Sequence, residues 1–312
     1  MTTFTIDDTI TLQDLPSGRF IVGVSGGVDS MVLLDLVRQR TDITAVIAHY
    51  DHGIRAESPQ DRNLVKYVAM SHNLEFISER GYLGPHTSED TARKARYSFL
   101  RQMRKIYNAD AIVTAHHQDD LLETAIINMI RGTGRRGLSA LRSTNELKRP
   151  LLSYNKQQLY KYAVTHDLQW HEDITNQDFT HLRNVVRHHL LSHFKNTHKT
   201  VLYDMIVRQE ALNRQLDADL NALLISTVQK QASLWLFPRQ TLIMLPMQIA
   251  YELLQLLYKQ CLGTTVERKH AERALLFAKT ARHAKQFPLT KGWRLRIQGA
   301  QVIVEPTTSV LS

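Results

Sequence analysis

From Arg19 to about Arg131, short apolar runs alternate with segments in which apolar residues recur every three or four positions. Phe20-Ile21-Val22-Gly23-Val24 has the continuous apolar character of a strand buried on both faces, and residues 30–38 place Met31, Leu34 and Val37 on one helical side. The pattern goes on to predict a strand at 43–48, a helix from about 58 to 71 and a strand at 75–78. Ser88 is placed to cap a helix reaching residue 106, with Thr91, Ala95, Phe99 and Met103 at helical spacing. A strand at 111–114 and a helix at 119–130 complete four strand–helix alternations. Such alternation predicts an α/β fold, a doubly wound and mostly parallel sheet with helices on both faces. Ligands of such sheets bind beyond the carboxyl ends of the strands.

Residues 132–150 are rich in Gly, Arg and Ser and are expected to form a surface loop, 154–167 a helix, and 170–187 a polar, irregular stretch. Leu202, Ile206, Leu212, Leu216, Leu220 and Leu223 then recur at helical steps, which predicts a long amphipathic linker helix over 200–231. A strand pair around 233–245, helices at 247–262 and 266–279, and a hairpin of 293–298 with 301–305 are expected to build a smaller α+β domain. The expected organisation is a catalytic domain over 1–195, a helical linker over 196–232 and a basic C-terminal domain over 233–312.

At 312 residues, with 43% hydrophobic and 22% charged side chains, the chain has ordinary globular composition and length for about two domains. It contains no run of about 18 apolar residues, and Met1-Thr2-Thr3-Phe4-Thr5-Ile6-Asp7-Asp8 lacks the charged and apolar regions of a secretory signal. A cytoplasmic protein with no membrane partner is therefore expected. Cys261 is the only cysteine, which excludes an internal disulfide, a paired-thiol redox site and a four-thiolate metal site. The formal charge is +9, and it is unevenly spread: residues 195–312 carry 16 basic and 8 acidic side chains, whereas 1–194 are nearly balanced. A catalytic domain followed by a phosphate-binding one fits this asymmetry, as does a solvated basic face.

The most informative stretch is Ser25-Gly26-Gly27-Val28-Asp29-Ser30, between the first strand and the first helix. Two glycines let the backbone approach an oxyanion, and the helix start offers unpaired N–H groups. A plain tight turn of small residues is the alternative. The G-x-x-x-x-G-K-[ST] pattern of kinase-type loops is missing. A second stretch, Ala115-His116-His117-Gln118-Asp119-Asp120-Leu121-Leu122-Glu123-Thr124, follows the fourth strand. Asp120 and Glu123 fall at helical steps and so project towards the same crevice, where acids hold a cationic amine and assist its deprotonation. The two histidines also suggest metal ligands, but no third and fourth ligand stand at zinc spacing.

The first stretch resembles the pyrophosphatase loop of the N-type ATP pyrophosphatases, the PP-loop superfamily with its adenine nucleotide alpha hydrolase-like fold. Taken with Ala48-His49-Tyr50-Asp51-His52-Gly53-Ile54-Arg55, Ala92-Arg93-Lys94-Ala95-Arg96-Tyr97, Ile130-Arg131-Gly132-Thr133-Gly134-Arg135-Arg136-Gly137-Leu138, Arg149-Pro150-Leu151-Leu152 and Asp173-Ile174-Thr175-Asn176 through Arg183-Asn184-Val185-Val186-Arg187, it resembles the tRNA(Ile)-lysidine synthetases over residues 18–190. The last third resembles them only loosely, and the extra terminal domain of longer members is expected to be absent.

This resemblance implies ligation of L-lysine to carbon 2 of the wobble cytidine in the CAU anticodon of tRNA(Ile), through an adenylated cytidine. The products are AMP and pyrophosphate, and codon reading changes from AUG to AUA. ATP with Mg2+ would lie on Ser25, Gly26, Gly27, Val28, Asp29 and Ser30, with Asp29 at the metal. Arg96 would stabilise the adenylate, and Asp120, with His116, Asp119 and Glu123 nearby, would receive lysine and its proton. For the tRNA the candidates are His49, His52, Arg93, Arg131, Gly132, Gly134, Arg135, Arg136, Arg183, Asn184 and Arg187. Alternatives stand beside several of these. The histidines end a strand, Arg93 and Arg96 could pair with acids on a helix, the 131–137 loop could be merely solvated, and Arg183, Asn184 and Arg187 could cap an interface. The oligomeric state is left open, a homodimer included.

Overall fold

The computed structural model describes residues 10–53, 58–82, 84, 87–171, 182–289 and 292–307. The motif residues Ile54, Arg55 and Asp173 to Asn176 lie outside the described residues. The chain divides into two compact units, Met1–Glu210 and Ala211–Ser312.

In the first unit the elements run β1 (Gly18–Gly23), α1 (Val28–Arg38), β2 (Ile43–Asp51), α2 (Ser58–Ser71), β3 (Glu75–Arg80), α3 (Glu89–Ile106), β4 (Ala111–Thr114) and α4 (Gln118–Ile130). They continue with α5 (Arg135–Leu138), β5 (Leu147–Lys148), α6 (Lys156–Thr165) and α7 (Leu182–Val185), then a π-helical turn at Val186–Leu190 and a 3-10 turn at Leu191–His193. The sheet order is β3-β2-β1-β4-β5, with every neighbouring pair parallel. Strand order reverses between β1 and β4, so the loops that follow these two strands open on one crevice.

Alternation along β1 explains how both faces are covered. Phe20 and Val22 join a core with Met31, Leu34, Leu159 and Ala163 of α1 and α6, whereas Ile21 points into a core with Tyr97, Phe99 and Leu100 of α3. Each fully buried side chain of this size stabilises the fold by ~2 kcal/mol. Ser88 caps α3 as expected, its side chain accepting from the Thr91 N–H at 3.2 Å. Residues 132–150 are not one loop, because α5 and β5 lie within them. Two residues are too few to show a strand period, and β5 is placed by its pairing with Ile112 and Val113. The irregular stretch expected at 170–187 is helical from Leu182.

Helix α8 (Asn196–Thr227) contains the division between the units. Within the first unit its Leu202, Tyr203 and Ile206 join Leu121, Leu122 and Ile126 of α4. The helix ends four residues earlier than the sequence pattern suggests, where exposed Gln229-Lys230-Gln231 becomes β6 (Gln229–Gln231). The second unit continues with β7 (Leu234–Pro238), α9 (Arg239–Met244), α10 (Met247–Leu262), α11 (Arg268–Thr280), β8 (Gln286–Pro288), β9 (Trp293–Gln298) and β10 (Gln301–Pro306). Its sheet is antiparallel in the order β6-β7-β10-β9-β8. The strand pair expected at 233–245 is thus one strand and one short helix, and β7 pairs with β6 and β10 instead. Phe237, Leu254, Leu275, Leu295 and Val304 fill this unit's core with Leu220 and Leu224 of α8.

Candidate active site

The turn from β1 to α1 is built around Ser30. Its Oγ accepts from the N–H groups of Ser25 and Gly26 at 3.2 and 3.1 Å and donates to the Gly27 carbonyl at 2.8 Å. Gly26 has φ of +99°, and a Cβ there would lie 3.2 Å from Asp61 Cβ, so glycine is required. A Cβ on Gly27 would meet only Ser25 Oγ, at 3.7 Å, which leaves room above the loop for an oxyanion. Gly27 caps α1 without a side chain, so the first helical N–H groups remain available to an external acceptor. Val28 is buried and anchors the helix start in the core.

Across the switch point, His117 caps α4. Its N–H donates to Asp120 Oδ2 at 3.1 Å, and its ring Nε2 lies 3.5 Å from Asp120 Oδ2 and 3.6 Å from Asp29 Oδ2. Asp119 Oδ2 is 3.7 Å from His117 Nδ1 and accepts the Lys156 N–H at 2.8 Å. The structure thus brings Asp29, His117, Asp119 and Asp120 together. Burial opposes the charge on Asp120, but the His117 ring, the His117 N–H and Arg183 outweigh it and hold the carboxyl down to about 2. Burial likewise works against Asp29, and its interactions with His117 and Lys156 prevail, leaving its carboxyl below the usual range. Burial pushes His117 down, while Asp120 and Asp29 more than reverse this and raise it. His116 Nδ1 shares a 2.8 Å hydrogen bond with Thr114 Oγ1, and burial drives this imidazole well below its ordinary value, so it is neutral at pH 7.

Glu123 goes elsewhere. Its side chain is 1% exposed and receives Arg187 at 2.6 and 3.0 Å, with Arg183 Nε 3.3 Å away. Burial raises Glu123 even so. Arg183 also donates to Thr124 Oγ1 at 3.1 Å, and Arg187 reaches within 3.8 Å of Asp120, so both arginines fasten α7 and the turn after it to α4. Asn184, buried between them in sequence, lies on the same short helix. Arg93 and Arg96 lie 5.0 and 5.6 Å from the Tyr97 ring centroid, and among the described residues neither has a carboxylate within ion-pair distance. Burial lowers Arg96. His49 is buried and donates from Nδ1 to the Val24 carbonyl at 3.0 Å, a bond that supports the loop from β2. The His52 ring packs edge-on to Tyr50 at 5.0 Å. Around α5, Arg131 and Arg136 are exposed, and Gly132 and Gly134 face open space.

Sequence reasoning missed Lys156. Its Nζ donates to Asp29 Oδ2 at 2.7 Å across 127 residues of chain. The signal available was local: a lysine directly after the cap Asn155 stands in the first turn of a helix, where the helix dipole disfavours a cation and an acidic partner is needed. Lys156 also borders a cavity of about 360 Å³ with Asp119, Asn155, Tyr160 and Lys199. Asp29 Oδ1 is buried and has no hydrogen-bond partner among the described residues, so the carboxylate keeps one oxygen for a cation brought with phosphates. No group of three or more His, Cys, Asp or Glu among the described residues is arranged to hold a metal alone.

A profile described as the PP-loop domain matches residues 3–194, more than half of the chain. The chain belongs to the PP-loop family. The chain is 40% identical over 181 residues to a tRNA(Ile)-lysidine synthase of Exiguobacterium sibiricum, covering 57% of this chain and 44% of that protein. A tRNA(Ile)-lysidine synthase of Enterococcus faecalis is 34% identical over 233 residues, covering 69% of this chain and 50% of that protein. This PP-loop chain therefore spans about half the length of the curated relatives it matches. Among solved structures, the U34-tRNA thiolase NcsA of Methanococcus maripaludis, with its [4Fe-4S] cluster, aligns with a TM-score of 0.50 at 15% identity. It covers 64% of this chain and 75% of that one, and the likeness is one of fold. No helix among the described residues is long and apolar enough to cross a membrane.

Proposed function

We propose that this PP-loop chain makes lysidine, ligating L-lysine to carbon 2 of the wobble cytidine in the CAU anticodon of tRNA(Ile) at the expense of ATP, in the cytoplasm. The observation that carries this reading is the cluster around His117, which places Asp29 of the phosphate loop and Asp120 of α4 within 3.6 and 3.5 Å of one imidazole. A nucleotide-activating loop and an amine-holding acid thereby serve one reaction centre. The likeness to lysidine synthases supports the choice of nucleophile and target base.

In the first step the cytidine O2 attacks the α-phosphorus of ATP. The bond to the bridging oxygen of the β-phosphate breaks, and pyrophosphate leaves. The N–H groups of Val28 and Asp29, in the first turn of α1, receive the phosphates, and Asp29 Oδ1 fits Mg2+, which when bound would neutralise charge on them. Arg96, half-buried and lacking a carboxylate partner among the described residues, faces the charge of the adenylated cytidine. In the second step the lysine ε-ammonium first loses a proton to the protein, and the free amine then adds to carbon 2 as the bond from that carbon to the AMP oxygen breaks. Asp120, held at about 2, is a lasting anion that positions the ammonium but accepts a proton poorly. Neutral His116 beside it is the better acceptor. Arg93, Arg131, Arg135 and Arg136 meet the anticodon arm, and the basic C-terminal domain meets other tRNA phosphates.

A sulfur-inserting activity on the same fold is disfavoured by the cysteine content. Cys261 is the only one, and burial pushes its thiol up to about 12. With lysine present and ATP labelled in the α-phosphate, AMP should form only when tRNA is added, and Asp29→Ala should slow it by about 10²-fold. AMP formation at the wild-type rate in that variant would contradict the assignment of the loop.

A further inference from the structure

We propose that Lys156 is a placeholder cation. Without nucleotide it holds the Asp29 carboxylate, and when ATP arrives with a divalent cation it yields Asp29 to the metal and binds the β- and γ-phosphates. This rests on ATP use by the PP-loop and is independent of which nucleophile is adenylated.

Three observations carry it. First, the pair is direct, at 2.7 Å, and involves only Oδ2, whereas Oδ1 is buried and has no hydrogen-bond partner among the described residues. A carboxylate beside a phosphate loop is therefore half-satisfied by a protein cation. Second, the backbone of Lys156 is fixed while its side chain has somewhere to go. Its N–H donates to Asp119 at 2.8 Å, and the capping box of Asn155 and Gln158 sets the start of α6. Farther along, α6 is clamped to α1 where Tyr162 Oη donates to buried Asp35 at 2.8 Å, with Gln39 joining the same carboxylate. The Lys156 side chain itself is 52% exposed and borders the cavity of about 360 Å³. Third, the cation stands in the first turn of α6, where the helix dipole repels it, so only a nearby anion keeps it there. Asp29 supplies that anion in the free chain. Once a metal neutralises Asp29, the phosphates become the stronger attraction, because two cations on one carboxylate repel each other.

The test is equilibrium binding of ATP and of inorganic pyrophosphate by calorimetry across a range of Mg2+ concentrations, without lysine or tRNA, for the wild type, Lys156→Met and Lys156→Arg. Thermal unfolding would check that each variant is folded. For Lys156→Met the proposal predicts about tenfold weaker binding of both ligands at saturating Mg2+. It also predicts a lower half-saturating Mg2+ concentration, since no protein cation competes for Asp29, and Lys156→Arg should restore anion affinity. Affinities within about twofold of the wild type, or a Mg2+ requirement that is unchanged or higher, would overturn it. Failure of lysidine formation leaves this assay untouched, so the two ideas fail separately.

Discussion

At the scale of single residues, His116 and Asp120 show how one strand end sets two neighbouring titratable groups in opposite charge states. Both are surrounded by protein, but Asp120 has cationic neighbours that keep it charged, while His116 has mainly burial, which keeps it neutral. A base must be unprotonated to act, so a lowered pKa extends activity to lower pH. With lysine, ATP and tRNA saturating, the acid limb of kcat should lie below pH 6.5, with little change between about pH 6.5 and 8. His116→Gln should reduce kcat by about 10²-fold and remove that limb. A limb centred above pH 6.5 in the wild type would exclude His116 as the base.

At the scale of elements, α4 shows what a sequence pattern can and cannot reveal. Its existence and limits follow from the apolar spacing of 119–130, and the step of three between Asp120 and Glu123 lets Arg187 approach both acids, at 3.8 and 2.6 Å. Their fates differ because their partners are remote in sequence. Glu123 is taken by Arg187, 64 residues later, and no local rule reveals that pairing. Lys156 on Asp29 and β5 on β4 were hidden for the same reason, and exposed β6 carries no apolar alternation to read. By contrast, the phosphate loop, the Ser88 cap and the first four strands are written in contiguous residues and emerge where expected. Glu123→Ala leaves two arginines facing a vacated buried site and should cost about 3 kcal/mol in chemical denaturation, with faster amide exchange over 182–190. Glu123→Gln, which keeps a hydrogen-bond acceptor, should cost less. Equal stability of Glu123→Ala and wild type would show that α7 is held by other contacts.

At the scale of the whole molecule, two units with different architectures share one chain. The parallel sheet of the first collects the phosphate loop and the acid-bearing helix at one switch point, and the charge excess lies in residues 195–312. There Lys269, Arg273, Arg282 and Lys285 are exposed. The central claim, that the first unit activates a tRNA cytidine and passes it to lysine, is tested most directly by incorporation of labelled lysine. The substrate would be a tRNA(Ile) transcript with a CAU anticodon, with ATP and Mg2+, beside the same transcript carrying uridine at the wobble position. Label on the cytidine transcript alone is the predicted result; no label on it, or equal label on both, would contradict the account.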